Sequence, residues 1–451
     1  MYRFAFVLIA LTACTSSNDD AAAGSESSGG GSDTNEGAGA SGQPSSSGAG
    51  GAAGHAGSGI VSGTGGQAGH GTAGQGGSSI GSGGMSQAGG GGNAGGGGGA
   101  PPVVIRACPS GIAAVGTWEQ ITPPQIPIVD KSGVGMVSVS VDPLDPATVY
   151  TSGGHKPCCG NGSDGVFKST DCGATWVKWN TGTNGDKLDQ GYVWGSGIVI
   201  NPHDSQIMYA ESGYGAEGLW KSTDGGVSWA QLFTPETKIP DIVQYNFTQD
   251  LAMDPTDPNH LVVSFHADCA KPYAAMCMAD SRDGGATWRI FNGPPSIPSW
   301  TEGGGVIALG EHTFLYVAFI GVYYTADDGS KWEKVADSGS SELYRSPTDG
   351  KMYIGSGRDV LTSTDGHTWT SIPGSPAATA VIGDGKTIFA SFGNDYTGQP
   401  FHSATESDLS TWTNVKTPQI KQGTSWFSYD AQHHILYAAD LNGGLWRTVT
   451  Q

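Results

Sequence analysis

From about Val103 to Gln451 the chain alternates short apolar runs, rich in Val, Ile, Tyr, Phe and Trp, with polar breaks built from Gly, Pro, Asp and Asn. Branched and aromatic side chains fit a pleated surface, and the bounding residues reach the dihedrals that turns require, so each run predicts a short β-strand. In the first complete unit the runs are Gly135 to Val141, Thr148 to Ser152, Gly165 to Ser169 and Thr175 to Trp179. The bend Asp142-Pro-Leu-Asp-Pro146 separates the first two. The bends Asn201-Pro-His-Asp204 and Asp254-Pro-Thr-Asp-Pro258 hold the same place in later units, which predicts a repeat of four strands.

A motif marks each repeat. Three clean copies of SxDxGx(T/S)W occur at Ser169 to Trp176, Ser222 to Trp229 and Ser281 to Trp288. A looser copy runs from Thr325 to Trp332, a shorter one from Ser363 to Trp369, and a decayed one ends at Trp412. The tryptophans are 37 to 59 residues apart, the spacing of propeller blades. The final unit has only three runs, Ser425 to Tyr429, Ile435 to Ala439 and Gly444 to Val449. Its missing strand is supplied from the other end, because Gly116 to Pro123 reads like the strand after each motif. The prediction is an all-β, seven-bladed β-propeller with four-stranded blades, closed when the N-terminal strand near residues 117–122 completes the last blade. Closure of this kind leaves no unpaired edge.

The motifs resemble the Asp-box, or BNR, repeats of sialidases, of glycoside hydrolase family 74, of sortilin-type receptors and of the photosystem II assembly factor family. That resemblance covers residues 103–451. It implies that Asp171, Asp224, Asp283, Asp327 and Asp365 bind local backbone between third and fourth strands, and that the motif tryptophans pack between blades. Sialidases hold their substrate with three converging arginines. Of Arg106, Arg282, Arg289, Arg345, Arg358 and Arg447 most are placed wrongly for that, and no Arg-Ile-Pro motif opens the domain, so a sialidase is excluded.

The first residues change the picture from a bare domain to an exported one. Residues 1–14 carry Arg3 and an apolar run from Phe4 to Leu11, too short to span a bilayer, as in a signal peptide. Leu11-Thr12-Ala13-Cys14 resembles the lipobox of bacterial lipoproteins, which implies acylation of Cys14. Thr15, in place of an aspartate, points to the outer membrane or cell surface of a Gram-negative bacterium. Residues 15–102 are a Gly-, Ser- and Ala-rich tether with too few apolar side chains to offset the entropy of ordering. A chain of that length spans roughly 50 Å on average. Removing Arg3 and the five acids before Val103 leaves 20 basic and 36 acidic residues in the domain, net −16. Such a field excludes nucleic acid and limits membrane contact to the lipid. A monomer is expected.

Six cysteines remain after Cys14, an even number in an exported chain, so disulfides are expected. Six cysteines allow fifteen pairings; the expected scheme has Cys108 meeting Cys172 on the turn face at the ring closure, and Cys269 with Cys277 closing one loop. Cys158 and Cys159 are either a vicinal disulfide or two thiols. Their spacing resembles no zinc site, so no metal ligand set is assigned. No cofactor is called for, and the channel is left open to a structural calcium.

Propeller connectivity puts the bends and SxD turns on one face, and the second-to-third-strand and blade-to-blade loops on the other. The long loops gather on this loop face, near the first three blades, where function-bearing residues are expected. Asp189 and Glu302, each close to a tryptophan, are the candidate carboxyl pair of a glycosidase. His155 and His266, in matching loops of blades one and three, suit a lyase, with Lys187, Lys271 or Arg345 neutralising a uronate. Trp194, Trp300 and Trp426 offer flat faces to sugar rings, with Tyr192 and Tyr245 beside them. The reading is a carbohydrate-active protein acting on an extracellular polysaccharide. Its alternatives are a polysaccharide lyase on the same face and a non-catalytic propeller that binds a glycan or a protein.

Overall fold

The computed structural model describes residues 103–126, 136–153, 165–213, 218–232, 248–266, 268–295, 297, 304–392, 401–415, 420, 424–440 and 443–451. Over these residues the chain forms seven antiparallel sheets of four strands each, with the strands of a sheet adjacent in chain order except in the last. In blade one the strands are Met136–Val141, Val149–Gly153, Gly165–Ser169 and Val177–Lys178. First strands of neighbouring blades lie against one another around most of the ring, so they line its axis. One short helix, Gly185–Leu188, interrupts the loop between blades one and two. Among the described residues no helix is long and apolar enough to cross a membrane.

The ring closes as the sequence predicts. Glu119–Gln120 pairs with Gly444–Val449 to give the last blade its fourth strand, with Glu119 opposite Arg447 and Gln120 opposite Trp446. Flanking bonds extend the seam: Ile121 N donates to Leu445 O at 2.8 Å, and Gly116 N donates to Val449 O at 2.8 Å. Disulfides join Cys108 to Cys172 and Cys269 to Cys277. The first ties the segment before the closing strand to the SxD turn of blade one. Cys158 and Cys159 lie outside the described residues, as do Cys14 and the tether.

Each SxD turn repeats one network. Asp171 Oδ1 accepts from Ser169 Oγ at 2.7 Å and from Thr175 N at 2.8 Å, while Gly173 N donates to Ser169 Oγ at 2.8 Å. Equivalent bonds recur at Asp224, Asp283, Asp327 and Asp365. These bonds favour the charged form, so Asp283 is held down at about 2, chiefly by the Thr287 hydroxyl and amide. All five carboxylates are thus occupied structurally.

The residue after each of the first four aspartates has positive φ: Cys172 58°, Gly225 71°, Gly284 66° and Asp328 57°. Its carbonyl is bound by the preceding blade each time. Arg447 Nη1 and Tyr437 OH donate to Cys172 O, Trp179 Nε1 to Gly225 O, Lys221 Nζ and Tyr209 OH to Gly284 O, and Arg289 Nη2 to Asp328 O. The turn is therefore a hook between blades as well as a local cap. Toward the loop face, second strands reach the next blade through serines: Ser152 Oγ donates to Val193 O, Ser264 Oγ donates to Gly304 O, and Ser391 Oγ accepts from Thr424 N.

Two predictions concern closure. Arg447 is 4 % exposed and binds Glu119 Oε2 through Nε at 3.0 Å as well as Cys172 O, so truncation strips the part-exposed Glu119 carboxylate of its partner and leaves the Cys172 carbonyl to Tyr437 alone. Arg447→Ala should cost about 2 kcal/mol in denaturant unfolding; an unchanged midpoint would show that the seam carries little. The Cys108–Cys172 bond spans 64 residues, and replacing both cysteines by alanine should cost about 4 kcal/mol by the same measurement.

Candidate functional site

Two cavities lie along the axis of the ring. The one nearer the turn face, about 410 Å³, is walled by the lower ends of first strands and their bends, including Val141, Pro143, Ile200, Pro202 and Pro255. The one nearer the loop face, about 180 Å³, is lined by Ser138, Val139, Asp250, Leu251, Val306, Ser341, Glu342, Trp426 and Phe427. Blades one, three, four, five and seven each contribute to it. Ser138, Asp250, Glu342 and Trp426 each stand four residues before the first residue of a bend, Asp142, Asp254, Ser346 and Asp430 respectively, so they occupy one level of the channel.

Among the described residues two carboxyl groups line this cavity, and no lysine or arginine does. Asp250 is 4 % exposed, and its Oδ2 accepts from Val306 N at 3.0 Å. Glu342 Oε1 accepts from Phe427 N at 3.1 Å, while its Oε2 is sealed from solvent and has no hydrogen-bond partner. Burial pushes the Glu342 carboxyl well above the usual carboxylate range; the Phe427 amide opposes this, and the negative Asp250 adds to it. Gly305 is needed beside them, because a Cβ there would lie 2.6 Å from Asp250 Oδ2 and closer still to Ser341 Cβ. At about 30 Å³ per water the cavity holds a few waters or an ion, and no polysaccharide chain.

Of the residues expected at the site, Trp426 lies in the first strand of the last blade, Thr424–Asp430, beside a register shift, and forms part of the cavity wall. His266 follows the second strand of blade three, Leu261–Phe265, its Nδ1 2.6 Å from Gln249 Oε1. Burial lowers its pKa, so the neutral ring is favoured. Lys271 is exposed within the loop clipped by Cys269 and Cys277. Asp189 follows the helix Gly185–Leu188, forms an ion pair with Lys178 and accepts from Asn180 Nδ2 at 2.7 Å. Its carboxylate fastens that helix to the outer strand of blade one. Tyr192 and Trp194 fall on the strand Tyr192–Ile200, with side chains outside the described set. Glu302, His155, Trp300 and Tyr245 lie outside the described residues.

Arg345 corrects the expectation. It stands opposite Met352, which in turn stands opposite Ser363, the serine that opens an SxD turn. Arg345 therefore lies at the turn-face end of its blade and cannot join groups on the loop face. The first strand of blade five, Tyr344–Arg345, is only two residues long, so its ends are hard to assign from pattern alone. Glu342 and Asp250 are the channel residues that the sequence pattern does not single out. Counting back from the bends in every blade would have put both at the same level of the channel.

No protein-family model matches the chain. It is similar to xyloglucanase Xgh74A of Acetivibrio thermocellus, 28 % identical over 200 residues that make up 40 % of this chain and 23 % of that protein. A xyloglucanase of Hypocrea jecorina is 31 % identical over 173 residues, 37 % of this chain and 19 % of that protein. The chain thus matches about a fifth of the length of these curated relatives. Among solved structures it is similar to an ancestral GH74 enzyme, with a TM-score of 0.47 and 16 % identity over 74 % of this chain and 47 % of that one. It is also similar to YCF48 from Cyanidioschyzon merolae, with a TM-score of 0.47 and 13 % identity over 74 % of this chain and 98 % of that one.

The raised Glu342 pKa has a consequence for stability. A carboxyl that titrates higher in the fold than in the unfolded chain stabilises the fold below its unfolded pKa, and that contribution is lost as pH rises through the folded value. In metal-free buffer, wild-type stability should therefore fall with rising pH, starting near the ordinary glutamate value, more steeply than that of Glu342→Gln. Denaturation midpoints measured across the pH range check this, and parallel slopes would contradict it.

Proposed function

We propose that this protein is an exported, lipid-anchored, glycoside hydrolase-like propeller that engages an extracellular polysaccharide on its loop face. The observation that carries the reading is the sequence likeness to several xyloglucanases over about 40 % of the chain. Xyloglucan is accordingly the first substrate to test. The loop face is the working side, because the SxD carboxylates of the opposite face are occupied in turns and blade-to-blade hooks. Glu302 is the candidate acid and Asp189 its candidate partner, with Trp194 and Trp300 stacking on sugar rings and Tyr192 and Tyr245 hydrogen-bonding to hydroxyls.

A second reading has a specific observation behind it. Asp189 is tied to Lys178 and Asn180, which suits a fastening residue better than a general base. In that case the propeller holds glycan without cleaving it.

The purified protein should bind xyloglucan and release reducing ends from it, and Glu302→Gln should slow release by about 100-fold or more while leaving binding intact. Binding without release supports the glycan-holding reading. Neither binding nor release, across xyloglucan and a panel of uronate-containing and neutral polysaccharides, would sink both.

A further inference from the structure

We infer that the hairpin tip Phe319-Ile320, with Arg358 beside it, is a sugar-stacking subsite on the loop face at blades four and five, where one ring of a neutral glycan lies on the Phe319 face and its hydroxyls accept from Arg358. The inference rests on the carbohydrate reading and adds to it a place that neither the turns nor the channel involve. Phe319 and Ile320 are the two residues between the second and third strands of blade four, Thr313–Ala318 and Gly321–Thr325, and Ala318 pairs with Gly321 beneath them. Tight turns of this kind favour Asn, Asp and Gly. Here they carry a phenylalanine 56 % exposed and an isoleucine 39 % exposed, and among the described residues no other aromatic side chain is as open to solvent. Neither side chain is buried in a blade, so packing does not account for the pair.

The surroundings select the occupant. One edge of the Phe319 ring lies by Gly357, where an added Cβ would stand 3.9 Å from ring Cδ1 and Cε1 and meet nothing else within 4 Å. Gly357 belongs to the matching turn of blade five, and the next residue, Arg358, is exposed, with its Nη2 3.4 Å from Ser338 Oγ. Both turns are fixed before anything binds: Gly339 N donates to Ala318 O at 3.1 Å, Gly357 N to Ala378 O at 2.7 Å, and Arg358 N to Ser356 Oγ at 3.2 Å. Little ordering entropy is then lost on binding. A pair of half-open apolar side chains offers on the order of 150 Å², well short of the roughly 800 Å² per partner that a stable protein interface buries. It matches a single sugar ring, whose C–H face suits the aromatic face and whose hydroxyls suit the guanidinium. The acidic field of the domain, net −16, disfavours an anionic polymer, so the ring belongs to a neutral one.

Calorimetry of the purified protein with a xyloglucan oligosaccharide tests this. Phe319→Ala should weaken binding by about 10-fold, Phe319→Trp should keep it, and Arg358→Met should weaken it by about 3-fold or more. Because both side chains are exposed, each variant should unfold at the wild-type midpoint. Undiminished affinity in Phe319→Ala, where the wild type binds, would overturn the subsite and leave the carbohydrate reading standing. Equal loss in Phe319→Ala and Phe319→Trp would overturn the stacking. No binding by the wild type to any neutral or uronate-containing polysaccharide would overturn both the subsite and the reading it rests on. Self-association that sedimentation detects in the wild type and that Phe319→Ala removes, with glycan affinity unchanged, would assign the pair to a contact between copies of the chain and overturn the proposal as well.

Discussion

The constraint on which the structure rests is that no blade is complete without its neighbour. The carbonyl after the turn aspartate, thrown outward by a positive φ, would be an unsatisfied acceptor if the preceding blade did not reach it. The donors that reach it are chemically different at each of four interfaces. They are an arginine with a tyrosine, a tryptophan indole, a lysine with a tyrosine, and an arginine alone. What recurs is the acceptor, fixed by the SxD turn, while the donor varies with each interface. The seam between the last blade and the first uses the same hook as an ordinary interface, then adds the Glu119–Arg447 pair and a disulfide.

This division explains what could be read in the sequence. The turns were legible because each is a local code, with serine, aspartate and glycine at fixed offsets set by the bonds they make with each other. Closure was legible because the strand Glu119–Gln120 sits in a run that copies the strand after each turn, and the three-stranded remainder at the C-terminus required a partner. Cys108 and Cys172 followed from closure. The channel pair was not legible in the same way. Asp250 and Glu342 come from blades three and five, and only the ring brings them to one level. Glu342 precedes a strand of two residues that hardly registers as an apolar run. Arg345 went to the wrong face for the same reason. The helix Gly185–Leu188 has no apolar period in its four residues to announce it.

The two faces and the axis therefore carry different chemistry. On the turn face the acids are used up in holding blades together. Along the axis, small and apolar side chains narrow the channel, where Asp250 is buried and one carboxyl oxygen of Glu342 is sealed from solvent. On our proposed reading the loop face carries the aromatic and titratable residues that neither the turns nor the channel consume. A strongly acidic domain with such a face suits a neutral glycan better than a polyanion, since an anionic polymer would meet repulsion over most of the surface.

The central claim is that function resides on the loop face. A crystal structure of the protein grown with a xyloglucan oligosaccharide tests it most directly. The account predicts sugar rings over the loops of blades one to three, stacked on an aromatic side chain. Sugar bound across the SxD turns, or threaded through the axis past Asp250, would contradict it.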